Sequence, residues 1–168
     1  MNTRGFTLVE LVIVIGIIVI LTAAGLPTFL AHWRTSTLKG GAQQLVAVLN
    51  QGRQVAIKEN ETVCIKADVA NPAYGTRIRF LRGTCSATST CAVTLDVPPC
   101  IWTGAGTDTE GYLSLENRIE ARPPAADVAF SPLGAAGAGT FTVRTMDDTA
   151  ATATITVAAS GRIAYSFP

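Results

Sequence analysis

The stretch GFTLVELVIVIGIIVILTAAG, residues 5–25, decides how the rest of the chain is read. Glu10 is the only charged residue between Gly5 and Ala31. A helix from Phe6 to Leu26, rising about 1.5 Å per residue, spans roughly 30 Å, the thickness of a bilayer core. Arg4 on the N-terminal side favours a cytoplasmic N-terminus, while His32, Arg34 and Lys39 follow on the other side. Three readings are open. The segment is a plain membrane anchor, with Glu10 favoured by the positive end of the helix dipole. Or it is a secretory signal cut after Thr22-Ala23-Ala24. Or it is a leader that ends at Gly5 and leaves the apolar helix in the mature chain.

A carboxylate inside an apolar span is costly and usually marks function, which favours the third reading. Cleavage after Gly5 creates an α-amino group on Phe6, one helical turn from Glu10. Among parallel helices, that amine on one subunit can neutralise Glu10 on its neighbour and so set axial register. Residues Gly5, Phe6, Thr7, Leu8, Val9 and Glu10, followed by the apolar helix, resemble the class III signal of type IV pilins and pseudopilins. The resemblance implies cleavage between Gly5 and Phe6 by a prepilin peptidase and methylation of the new amine. It also implies that the helix packs with the helices of other pilins.

Gly25 and Pro27 punctuate the helix near its membrane exit, and Pro27 removes a backbone hydrogen bond. A kink or locally loosened stretch is expected there, or a plain helix boundary. Beyond it, Leu38, Ala42, Leu45, Leu49, Gly52 and Ala56 recur at three- and four-residue steps, with Val48 and Val55 widening the stripe. This face is core. Gly40-Gly41 weakens the helix and predicts a bend or short break. The helix should end near Asn60.

The remainder reads as short strands between turn residues. Candidates are residues 61–66, 76–81, 93–97, 100–102, 118–121 and 128–130. The clearest pattern is C-terminal: alternation over 140–146, a turn at Asp147-Asp148-Thr149-Ala150, alternation over 152–158, a turn at Ala159-Ser160-Gly161, and a last strand over 162–167. That is an antiparallel meander. The small-residue loops 104–109 and 134–139 should be exposed.

Three internal pieces carry a narrower resemblance. QGRQVAIKENETVCI (51–65), Phe130-Ser131-Pro132-Leu133-Gly134 and Ser160-Gly161-Arg162-Ile163 resemble, in order, elements of FimT/GspH-type minor pilins and pseudopilins. The expected fold is α+β and pilin-like: a long N-terminal helix, half transmembrane and half amphipathic, packed on an antiparallel β-sheet domain. The expected organisation is a cleaved leader (1–5), a transmembrane and assembly helix (6–30) and a periplasmic domain (31–168) that includes the second half of the helix. The resemblance implies an inner-membrane protein that joins or primes a type IV pilus or similar fibre. The alternatives are a pseudopilin of type II secretion and a pilus-associated DNA-binding subunit.

Composition sets limits. Of 168 residues, 48% are hydrophobic and 15% charged, and the net charge is +1, so no global basic field advertises nucleic acid. The four cysteines, at 64, 85, 91 and 100, form no C-x-x-C pair and suit disulfides in an exported domain. The Ser/Thr-rich loop between Cys85 and Cys91 suggests an 85–91 bridge with 64–100, among three pairings. The single histidine, His32, lies at the membrane exit, so no Ser/His/Asp or Cys/His arrangement forms in the domain. No enzyme, cofactor, metal site or small-molecule substrate is expected, and Asp147-Asp148 suits a solvated turn better than a calcium site. FimT-like DNA binders use a C-terminal Gly-Arg-x-Arg element. Here Gly161-Arg162-Ile163-Ala164 keeps only the first arginine. Arg77, Arg79, Arg82, Arg144 and Arg162 would have to share one surface to hold phosphates. The competing expectation is that they are solvated sheet residues with acidic neighbours.

Overall fold

The computed structural model describes residues 7–69, 75–83, 100–116, 118–146 and 151–167, without the side chains of Pro27 and Ala31. The expected strand 93–97, the turn 147–150 and the cysteines at 85 and 91 lie outside this set. The chain forms two compact units, Met1–Ser36 and Thr37–Pro168.

Helix α1 runs over Leu8–Glu59. Thr7 caps it, because the Glu10 backbone N–H donates to Thr7 Oγ1 at 3.3 Å. In the first unit, Leu8–Leu26 is long and apolar enough to cross a membrane, and none of it is buried within the chain. Helical structure continues across Pro27, so that residue is not a helix boundary. It also continues across Gly40-Gly41, where a bend or break was expected. The reason lies in packing. A Cβ on Gly41 would overlap the Ile119 side chain, whereas Gly40 faces open space. Gly41 is a point of close approach rather than a break. The helix ends where expected, at Asn60, in the left-handed region with φ 54°.

In the second unit the described residues form eight strands: β1 (Val63–Asp68), β2 (Arg77–Arg82), β3 (Tyr112–Ser114), β4 (Ile119–Arg122), β5 (Val128–Phe130), β6 (Gly139–Thr145), β7 (Thr152–Val157) and β8 (Ile163–Ser166). They form two antiparallel four-stranded sheets, ordered β3-β2-β1-β5 and β4-β6-β7-β8. The expected antiparallel β-sheet domain is thus built from two sheets. The meander β6-β7-β8 is present, with Phe141 opposite Ile155 and Ile155 opposite Tyr165. The expected 100–102 strand is reduced to one bridge, Leu81 to Ile101.

All eight residues of the predicted helix stripe face the core. Leu38, Ala42, Leu45, Val48, Leu49, Val55 and Ala56 join one cluster with Ile65, Ile78 and Phe80 of the first sheet and Ile119, Phe141, Val143 and Ile155 of the second. Gly52 completes the stripe, and a Cβ there would meet Ile65 and Phe80. Gln44 ties the helix to β3, donating to the Ser114 carbonyl at 3.4 Å and accepting from Glu116 N–H at 2.9 Å. Thr76 is the polar residue that joins the sheets. It is fully buried, its N–H donates to the Ile119 carbonyl at 2.9 Å, and its Oγ1 accepts from Ala121 N–H at 2.8 Å.

Cys64 and Cys100 are each in a disulfide. They are not placed to bond to one another. Cys64 lies opposite Leu81, and Leu81 lies opposite Ile101 on its other side. Cys100 sits beyond β2, where its carbonyl accepts from Arg82 N–H at 2.6 Å. Two strand spacings of about 4.8 Å separate the cysteines. A disulfide needs Cα atoms about 4.4–6.8 Å apart. The 64–100 bridge suggested by loop composition is therefore displaced by strand register, and its companion 85–91 lies outside the described residues.

Candidate assembly and interaction surfaces

The N-terminal site begins with TLVE. Thr7 and Glu10 stand in the S/T-x-x-E spacing of a capping box, so Glu10 also has a local reason to occupy the first turn. Its side chain is exposed along the apolar helix. Gly5 and Phe6 lie outside the described residues. Below them Leu8, Val9, Leu11, Val12 and Ile13 are all more than half exposed within the chain. An apolar helix without cover in one subunit requires a bilayer or other helices around it.

The five arginines weighed for phosphate binding do not make one surface. Arg77 and Arg79 do stand together on the face of the first sheet away from the core, as strand alternation requires. Their guanidinium groups lie over the Tyr112 ring at 4.2 and 4.9 Å. Arg77 also donates to Asp68 at 2.8 Å, and that bond is the main cause of its raised pKa. Arg82 falls on the opposite face of β2 and approaches Glu59 at 4.0 Å. Arg144 belongs to the second sheet, where its Nε donates to Glu120 at 2.7 Å. Arg162 is exposed just before β8. Three of the five are thus neutralised by carboxylates, and strand alternation with division between sheets disperses the set. The five do not converge on the one surface that phosphate binding would need, and Ala164 stands where the Gly-Arg-x-Arg element has its second arginine.

Glu120 is a shared acceptor. Arg122 Nε donates to it at 2.7 Å and Arg144 binds its other oxygen. The hydrogen bond from Arg122, then that from Arg144, hold its pKa below the usual carboxylate value despite partial burial. Among the described residues no group of three His, Cys, Asp or Glu side chains converges as metal ligands would.

The three internal sequence pieces, far apart in the chain, meet in space. Gly134 has φ 79° and Gly161 has φ 76°, a region open to glycine at little cost. A Cβ on Gly161 would collide with the Gly134 carbonyl oxygen. A Cβ on Gly134 would sit 3.1 Å from both Nε and Nη2 of Arg53. The two glycines thus let the 131–134 and 158–161 turns lie against the Arg53 guanidinium. Each turn is closed by its own bond, Gly134 N–H to Ser131 and Gly161 N–H to Ala158, both 2.8 Å. Gly134 is buried here, although its loop was expected to be exposed. Sequence reading placed Arg53 in a family-like element but assigned it no role.

A family model described as Type II transport protein GspH matches residues 41–161. The prokaryotic N-terminal methylation motif matches residues 1–26. Among solved structures, the fold is similar to the minor pseudopilin EpsH from the type 2 secretion system of Vibrio cholerae. That match has a TM-score of 0.53 and 16% identity, and covers 78% of this chain and 97% of the other. It is also similar to the type IV minor pilin FimU of Pseudomonas aeruginosa PAO1. There the TM-score is 0.52 and the identity 16%, with coverage of 79% and 90%. No curated protein sequence matches the chain.

Proposed function

Because the chain belongs to the GspH family, we propose that this minor pilin or pseudopilin subunit joins or primes a type IV pilus or pilus-like fibre. The reading is carried by one observation: a processing-type N-terminal signal leads straight into a membrane-length helix with no cover of its own. A prepilin peptidase cuts between Gly5 and Phe6 and the new amine is methylated. The apolar helix then anchors the chain in the inner membrane, with the sheet domain in the periplasm. Assembly is non-covalent. Helix packing supplies the energy, Glu10 pairs with the amine of a neighbouring subunit to set register, and Pro27 lets the helix loosen inside the fibre.

A second reading is a minor pseudopilin of type II secretion, favoured by the description of the matching family. The neighbouring genes distinguish the two, since both share signal and domain. The common mechanism is tested by mass spectrometry of the mature protein. A chain that begins at methylated Phe6 supports it. An intact Met1, or a chain that begins near Gly25, overturns it.

A further inference from the structure

We infer that Arg53, Ile57 and Leu133 form the docking surface for a neighbouring subunit that presents an aspartate or glutamate beside an apolar recess. The inference rests on the fibre-subunit reading and locates the surface through which the domain selects its neighbour.

Arg53 Nε is buried and has no hydrogen-bond partner. The ion pairs found elsewhere in the domain use Lys66, Arg77, Arg82, Arg122 and Arg144, and among the described residues none uses Arg53. Nε is sealed from solvent, so a carboxylate of another subunit engages the outer Nη1 and Nη2 end of the group, in a bidentate, charge-assisted bond. Two positive-φ glycines pack against this group and hold it in place. That preorganisation lowers the entropy cost of binding.

Apolar groups frame it. Leu133 is 94% exposed, more than any other large hydrophobic residue among the described ones, and stands next to Gly134. Ile57, one turn beyond Arg53 on α1, is 50% exposed, and a Cβ on Gly134 would lie 3.4 Å from its Cδ1. Lys58 and Arg162 are exposed nearby in the chain, beside Ile57 and Gly161, and add positive potential. Arginine is enriched at protein interfaces, and the exposed aliphatic side chains beside it supply apolar area to bury. Nucleic acid would meet the cations but gain nothing from Leu133 and Ile57, so a protein surface fits better.

The test uses the full chain in cells that assemble its fibre. A photo-crosslinking residue replaces Leu133 and, as a control, Thr156 on the exposed face of β7. Position 133 should yield a crosslink to another pilin-type subunit, mapped near an Asp or Glu, that is absent from position 156. Leu133→Asp should lower incorporation about tenfold, because it sets a like charge against the acidic partner and removes an apolar contact. Its side chain is too exposed for the change to unfold the domain, and the level of membrane-held protein checks this. Arg53→Glu should behave likewise and be rescued by a lysine at the crosslinked carboxylate. Wild-type incorporation of Leu133→Asp, or crosslinks from 133 only to DNA, lipid or the same proteins as from 156, overturns the inference. Failure of the fibre reading itself would look different: the wild-type chain would retain Met1 and stay out of fibres.

Discussion

Thr7 and Glu10 show how one short motif serves two scales. The Thr7 hydroxyl accepts from Glu10 N–H and starts the helix, a bond that depends on the Glu10 backbone and not on its side chain. Glu10→Ala should therefore leave the helix capped and the domain folded, yet impair incorporation into fibres. Fractionation of cells into membrane and sheared fibres checks this, and normal incorporation would count against amine pairing. Glu120 is a second residue with a measurable signature. Its folded-state pKa is depressed below the ordinary 4.5 by Arg122 and then Arg144. The stabilisation is thus complete above about 4.5 and is lost as pH falls through the depressed folded value. Glu120→Gln should lower stability at pH 7 by ~1 kcal/mol or less, given the partly exposed partners. The difference from wild type should shrink in acid. Urea melts at pH 7 and pH 3 test the sign.

At the scale of elements, the helix and its glycines separate two roles that look alike in sequence. Gly40 and Gly41 are adjacent, but only Gly41 meets the sheet, through Ile119. Gly40→Ala should stabilise the chain by about 0.5–1 kcal/mol through helix propensity. Gly41→Ala should destabilise it by about 1–3 kcal/mol through overpacking. Denaturant melts of the two variants should move in opposite directions. Strand register makes a further claim. Since Cys64 and Cys100 are bonded but flank β2 on opposite sides, peptide mapping without reduction should place them in separate bridges, each with Cys85 or Cys91. A peptide pair that joins 64 to 100 would refute the register argument.

In the second unit the helix from Leu38 to Ala56 packs on two sheets, with Thr76 as the buried polar tie and the Arg53 contact as the second convergence. Gly161→Ala tests that convergence. Its φ of 76° strains any L-residue by about 1–2 kcal/mol, and the added methyl meets the rigid Gly134 carbonyl. A loss of more than about 2 kcal/mol is expected in a denaturant melt. A change near zero would show that the two turns are not held together in solution.

Sequence by itself determined the features that depend on local period and local chemistry. The membrane-length helix, the eight-residue core stripe from Leu38 to Ala56, the helix end at Asn60 and the β6-β7-β8 meander all follow from spacing within a few residues, while GFTLVE is legible through its resemblance to a known signal. The tertiary structure alone decided what depends on which strand lies beside which. It split the strands into two sheets, because pairing partners such as β1 and β5 are far apart in sequence. It added β3, whose three residues are too few to show alternation. It scattered the arginines, set Cys64 apart from Cys100, and drew Arg53, Gly134 and Gly161 into one contact. Local pattern reports which face a side chain takes, but only long-range packing reports what that face meets.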